Sequence, residues 1–276
     1  MEQPEQSSKP LHKAIFGFFA PILIGLLILA WYQHKDQNLH LIVLNTPGDA
    51  FLIVTPKGRT ILIDGGNEPS QLASSLGRAI PYWQRSLDLI ILTQISQRQL
   101  IGQISAIEHY QIKQALLPIN TSKSPSLQQW YRLLREQNTN IQNITPQQPF
   151  VIDGVKIQAL TQAEKDYGML LLIEYRNTRA ILAHHNHPDS QDMLLQQKPA
   201  QRTLLITPWE EPSSLHPALQ AQHIILSKGY QAYEPSRQTW RELQINNSAL
   251  YHLSTHGQIE WISNGQQTWV NTALNP

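Results

Sequence analysis

Not one cysteine occurs among the 276 residues. Disulfide frameworks, thiolate zinc sites and cysteine nucleophiles are therefore excluded, while the compartment stays open because a cysteine-free chain is tolerated on either side of a membrane. Charge is scarce too: 15% of residues carry it, and the net balance is +1. That balance argues against nucleic-acid binding by bulk electrostatics, although a local patch could exist within it. No G-x-S-x-G is present to anchor Ser–His–Asp catalysis, and Gly65-Gly66 lacks the G-x-x-x-x-G-K pattern of a phosphate cradle. No short solenoid-like repeat is evident.

What the chain does have is one long uncharged run. Residues 14–32 read AIFGFFAPILIGLLILAWY, and at 1.5 Å per residue such a run nearly matches a hydrocarbon core of about 30 Å. The expectation is an uncleaved transmembrane helix. Trp31 and Tyr32 stand where an aromatic interface belt belongs, and Pro21 and Gly25 are tolerated in such helices. A cleaved signal peptide has a shorter apolar core and a small-x-small exit, and the exit LAWYQHKD offers none; a buried core helix is the remaining alternative. Lys9 and Lys13 precede the run, while Lys35 follows it beside Asp36. By the positive-inside rule the N-terminus is expected in the cytoplasm and the rest outside it. The expected organisation is a cytoplasmic tail over 1–13, the transmembrane helix over 14–32, a linker over 33–38 and one domain over 39–276.

Beyond the linker, strand-like runs start at Leu39, Ala50 and Thr60, with Lys57-Gly58 turning the second into the third. Leu72, Leu76 and Ile80 give a helical face over 70–80. A strand is expected over 87–93, a helix over 101–110, a short strand at Ala115, and a helix after Pro125 carrying Trp130, Leu133 and Leu134. QNTNIQNITPQQP reads as a loop. The second half repeats the rhythm: a hairpin over 150–160 turned by Asp153-Gly154, another from 169–175 to 179–183, and buried strands at 204–206 and 223–226. The C-terminal piece from Ala249 reads as a meander with turns at His256-Gly257 and Asn264-Gly265. Two mixed sheets faced by helices would bury these runs in a single α/β domain.

The stretch LNTPGDAFLIVTPKGRTILIDGGNEPSQLASSLGRAIPYWQRSLDLIILTQ resembles the start of the metallo-β-lactamase-like domain at the C-terminal end of the ComEC competence protein. Relatives read VGQGDA, then P-x-G-x-x-x-L-I-D-x-G, then LGR-x-L-P, then D-x-x-x-L-T-H. Here Gly48, Asp49 and Ala50 match the first element and Ile63, Asp64 and Gly66 the second. Leu76-Gly77-Arg78, Pro81 and Leu92-Thr93 follow in order. The resemblance spans residues 39 to about 270 and implies an αββα sandwich.

In that family a loop T-H-x-(H/D)-x-D-H-x-x-G holds one or two metal ions that activate water. Thr93 and Gly102 match its ends, but the ligand positions fall on Gln94, Ser96, Arg98 and Gln99. Amide and hydroxyl oxygens are poor zinc donors beside imidazole and carboxylate, and an arginine would set a fixed positive charge against a dication. Where relatives carry a Gly-Asp after a later strand the chain has His184-His185, and where they read H-H-G-S it has Trp209-Glu210-Glu211-Pro212. The resemblance thus implies the fold without the reaction and no cofactor, with Asp49 and Asp64 supporting loop geometry. Three functional readings stay open. One is a membrane-anchored binding or scaffolding module, working with the membrane proteins of DNA uptake. The second is a phosphodiesterase or nuclease rebuilt around zinc or manganese at His185, His187, Asp189 and Glu210, though AHHNHPDSQD also reads as an exposed turn in which Asp189 or Ser190 caps a helix. The third is a small-ligand cleft near Gln94, Arg98 and Trp209. Nucleic acid is a partner by analogy only: Arg98, Lys113, Arg132, Arg135, Arg176 and Arg179 are scattered as on a solvated face, and most Trp and Tyr lie in apolar patterns that read as core.

Overall fold

Alternation of side chains along successive strands builds two faces at once. In TILID, Ile61 and Ile63 point into one buried cluster while Leu62 points into another on the opposite face of the sheet. The computed structural model describes residues 36–119, 122–146, 148–163, 168–183, 202–208, 221–227 and 248–274, apart from the side chains of Arg98 and Pro208. The first strands are β1 (Leu39–Val43), β2 (Ala50–Val54) and β3 (Thr60–Asp64). Helix α1 (Pro69–Ala79) leads to β4 (Ser86–Leu87) and β5 (Leu89–Ile91), then α2 (Gln97–His109), β6 (Gln111–Ile112) and β7 (Gln114–Pro118). Helix α3 (Pro125–Glu136) precedes β8 (Asn140–Ile144), β9 (Phe150–Ile152), β10 (Val155–Ala159), β11 (Leu171–Tyr175) and β12 (Thr178–Leu182). The last elements are β13 (Thr203–Pro208), β14 (His223–Ser227), β15 (Ala249–His252), the single turn α4 (Leu253–His256), β16 (Ile259–Ser263) and β17 (Thr268–Thr272).

Two mixed sheets result. The first has the order β17-β16-β1-β2-β3-β5-β7-β8 and the second β15-β14-β13-β12-β11-β10-β9, while β4 and β6 form a separate short pair. Strands β3, β5, β7 and β8 run parallel, as do β12 to β15. Leu41, Ile53, Ile61 and Ile91 of the first sheet share one core with Ile157, Ile173, Leu204 and Ile225 of the second. On the outer face of the first sheet, Leu52, Leu62 and Ile90 meet Leu72 and Leu76 of α1, Leu100 and Ile107 of α2, and Leu127, Trp130 and Leu134 of α3. Each such side chain, fully buried, stabilises the fold by roughly 1.5–3 kcal/mol. Leu172, Ile181, Leu205 and Ile224 form a third buried cluster on the other face of the second sheet. The layers described are helix, sheet, sheet, and no second helical layer of the expected αββα sandwich is among the described residues.

Several sequence expectations need correction. Residues 140–144, expected as loop, form β8, whose polar side chains face solvent because it is an edge strand, with pairing to β7 on one side. The strand expected over 87–93 is split, with Asp88 turned aside to accept the Thr60 N–H at 2.9 Å while β4 pairs with β6. Helix α2 begins at Gln97 rather than near Ile101, because the Ser96 hydroxyl accepts the Gln99 N–H at 3.4 Å and caps it. The C-terminal piece is no single meander: β15 pairs with β14 in the second sheet, and only β16 and β17 form a hairpin, in the first. Arg179 is buried, not solvated; its Nε donates to Thr203 Oγ1 at 2.9 Å, and burial lowers its pKa, opposed by Glu174. No helix of the described residues is long and apolar enough to cross a membrane, and the run 14–32 lies outside them.

Candidate functional site

The parallel strands of the two sheets end at one common edge, the usual place for chemistry in α/β sheets. Ser227, the last residue of β14, donates from its hydroxyl to Asp49 Oδ1 at 2.8 Å, just ahead of β2. The Met169 N–H, two residues before β11, donates to the Thr93 carbonyl at 3.1 Å, just past β5. These bonds tie the sheets together beside the segment that follows β5.

Asp64 organises that segment. It closes β3 in the left-handed region, with φ 53, which aspartate tolerates better than most residues. Its carboxylate is fully buried and accepts two hydrogen bonds from Thr93, the N–H at 2.8 Å and the hydroxyl at 2.5 Å. The chain then passes through Gly65 and Gly66 directly against α2. A Cβ on Gly102 would lie 1.9 Å from the Gly65 carbonyl oxygen, and one on Gly65 would lie 2.3 Å from the Gln103 nitrogen. Two glycines therefore let a strand end and a helix touch backbone to backbone, with the Gly102 N–H donating to the Gly66 carbonyl at 3.2 Å. The Gly66 N–H in turn donates to the Asp49 carbonyl at 3.0 Å, beside Gly48, whose φ is 79.

Gln94 and Gln99 sit at this edge, both buried. The Gln99 amide nitrogen donates to Gln94 Oε1 at 3.3 Å, and the Gln99 amide oxygen is buried with no hydrogen-bond partner among the described residues. Ser96 is occupied as the cap of α2. The structure thus brings together Gly48, Asp49, Asp64, Gly66, Thr93, Gln94, Ser96, Gln99 and Gly102. His185, His187, Asp189, Trp209, Glu210 and the Arg98 side chain lie outside the described residues.

Amides and a capping hydroxyl do not fit a divalent metal. They carry no charge to offset the ion's dehydration, and the Gln94 amide oxygen, the atom that could face an ion, already accepts from the Gln99 amide nitrogen. Among the described residues no group of three or more His, Asp or Glu side chains could hold an ion.

Some residues of this edge carried no signal in sequence reading. His252 ends β15, and its Nδ1 accepts the Ser254 N–H at 3.2 Å and contacts the Ser254 hydroxyl; His256 Nδ1 accepts the His252 N–H at 3.1 Å. Just inside the edge, Gln103 donates to the Ile91 carbonyl at 2.7 Å and accepts from Trp130 Nε1 at 2.9 Å. A helical glutamine on an otherwise apolar face was the available sign.

No family model matches the chain, and no curated protein sequence matches it. Solved structures do. It is similar to the metallo-β-lactamase fold protein YhfI from Bacillus subtilis, with a TM-score of 0.58 and 14% identity over 78% of this chain and 95% of that one. It is similar to CmlA, a diiron β-hydroxylase from Streptomyces venezuelae, with a TM-score of 0.57 and 12% identity over 85% of this chain and 54% of that one. A long form RNase Z from yeast gives a TM-score of 0.50 and 12% identity over 73% of this chain and 38% of that one. The chain thus spans about half the length of CmlA and less of RNase Z. The chain has the metallo-β-lactamase fold. One fold serving a hydroxylase and a ribonuclease leaves function to the site.

Proposed function

We propose that this chain is a membrane-anchored metallo-β-lactamase-fold domain, akin to the C-terminal domain of ComEC, that has lost metal-dependent hydrolysis. It acts as a binding or scaffolding module at the membrane, among the proteins of DNA uptake. The observation that carries the reading is the amide pair: Gln94 and Gln99, at positions where the resemblance expects histidines, hydrogen-bond to each other at 3.3 Å. The capping role of Ser96 and the bonds from Thr93 to Asp64 support it, since they hold the loop's shape without a ligand's charge. The apolar run 14–32 supports the anchor, and the extracytoplasmic placement rests on Lys9 and Lys13. DNA uptake rests on the resemblance.

The competing enzyme reading draws on topology. Strands β12 and β13 are adjacent and parallel and end at the same edge as Thr93, so the segments carrying His185, His187 and Asp189, and then Glu210, leave from that edge. Elemental analysis separates the two. The full chain, purified without a histidine tag, is incubated with zinc or manganese and desalted. Less than about a tenth of an ion per chain is expected, because structural and catalytic sites bind near stoichiometrically. A stoichiometric ion that disappears in a His185→Ala, His187→Ala double variant would overturn the non-hydrolytic reading.

A further inference from the structure

Tyr82 and Trp83 stand out from the surface. They are 81% and 57% exposed, adjacent in sequence, and packed edge to face with ring centroids 4.9 Å apart. The loop that presents them is firmly held. The Gln84 N–H closes a turn onto the Pro81 carbonyl at 2.9 Å, and the Gln84 amide donates to Thr60 Oγ1 at 2.9 Å and to the Ser86 carbonyl at 3.2 Å. A single exposed aromatic needs no explanation. Two on one anchored loop make an apolar tip that water solvates poorly.

Topology says where this tip lies. Strands β1 and β3 are both antiparallel to β2, so β1 and β3 start at the same edge of the sheet, opposite the edge of Asp64 and Thr93. Gln84 is bonded to Thr60, the first residue of β3, and β1 begins at Leu39. The domain's first strand therefore starts on the edge that carries Tyr82 and Trp83. Charge on this edge suits an anionic surface. Lys57, Arg78 and Arg85 are exposed; Asp88, Asp153 and Glu136 already face Lys113 at 2.7 Å, Arg59 at 3.7 Å and Arg132 at 3.5 Å, and Asp36 and Glu108 are exposed carboxylates.

We infer that the Tyr82–Trp83 tip inserts into the interfacial zone of a lipid bilayer, fixing the domain with its strand-start edge to the membrane and its Asp64–Thr93 edge away from it. The inference rests on the anchoring reading above. Tyrosine and tryptophan favour the headgroup level because one end of each ring is apolar and the other polar, and basic residues beside them gain from anionic lipid. A second contact besides the tether turns a swinging domain into an oriented one.

The cysteine-free chain makes the test direct. Full-length Tyr82→Cys and Gln97→Cys variants, the latter labelling the opposite edge, are modified with an environment-sensitive fluorophore and reconstituted in phosphatidylcholine and phosphatidylglycerol vesicles. Some vesicles carry nitroxide near the headgroup. Quenching at position 82 is expected to exceed that at 97 by at least about twofold, as interfacial placement requires. Equal, weak quenching at both positions in chain that resists alkaline carbonate extraction would sink the inference and leave the anchor standing. A label at 82 that is shielded from water yet unquenched by lipid would also sink it, since protein would then cover the tip. If carbonate strips the chain from the vesicles, the anchor reading fails, and quenching at 82 at neutral pH still decides the surface contact by itself.

Discussion

Asp64 and Thr93, the last residue of one strand and a residue just past the neighbouring one, are joined by two hydrogen bonds of 2.8 and 2.5 Å inside the protein. Both are charge-assisted and both are shielded from water, so the pair fixes the path of the chain from β5 into α2. The Asp64→Asn variant keeps a side chain that tolerates φ 53 but removes the charge and one of the two accepting oxygens. Loss of about 1.5–3 kcal/mol is expected by chemical denaturation, the range for hydrogen bonds to a charged group. Thr93→Val should cost less because the N–H bond survives. A double variant whose cost equals the sum of the singles would show that the pair does not act as a unit.

Gly102 and Gly77 predict opposite outcomes for the same chemical change. A methyl group at Gly102 would meet the Gly65 carbonyl oxygen at 1.9 Å, whereas at Gly77, inside α1, nothing lies within 4 Å. Gly102→Ala should destabilise by about 3 kcal/mol or more, since backbone on both sides must move. Gly77→Ala should stabilise by about 0.5–1 kcal/mol through helix propensity. Thermal melts of the two variants settle both, and a tolerated Gly102→Ala would contradict the close approach.

Gln103 bridges the buried Trp130 indole and the β5 backbone at Ile91. Replacing it with leucine leaves the Trp130 indole N–H without the acceptor it has and takes one donor from the Ile91 carbonyl. A loss of about 1–3 kcal/mol is expected from leaving the buried indole N–H unsatisfied. Trp130 emission should shift as its hydrogen bond disappears. Wild-type stability in Gln103→Leu would mean that the bridge contributes nothing.

His223 makes stability depend on pH. Burial lowers its pKa below the usual 6.5, its Nδ1 is buried without a hydrogen-bond partner among the described residues, and Nε2 lies 3.5 Å from Thr268 Oγ1. The unfolded chain therefore takes up the proton first as pH falls. The contribution is fully present above about pH 6.5 and is lost as pH drops below it toward the folded pKa. The limiting slope is about 1.4 kcal/mol per pH unit for one proton. His223→Gln should flatten this part of the profile, and an unchanged slope between pH 5 and 7 would remove His223 as its source.

Apolar runs made most of the architecture legible. TILID, AFLIV and HIILS are so continuously apolar that a doubly buried strand is the economical reading. The misses share a cause. NIQNI in β8 carries a polar face because an edge strand turns it to water, so neither alternation nor hydrophobicity reports it. QRQ at the start of α2 has no apolar period, and only the cap at Ser96 marks the helix. For the site, the motif order from Gly48 to Gly102 located the edge, but the pairing of Gln94 with Gln99 and of Asp49 with Ser227 depends on three-dimensional approach. Those last two lie 178 residues apart.

The placement of β1 also constrains how the protein comes into being. Its partner on one side, β2, follows within a few residues, but the strand on its other side is β16, and the His40–Glu260 contact across that junction spans 220 positions. During synthesis the first strand of the domain waits with an open hydrogen-bonding edge until β16, some 220 positions later, has left the ribosome. Completion of the first sheet is therefore a late, slow event, dominated by the entropy of closing so long a loop. A chain that stops at Gly257 would keep that edge permanently bare and should be lost to aggregation, measurable as a larger aggregated fraction than the full-length chain gives in the same detergent.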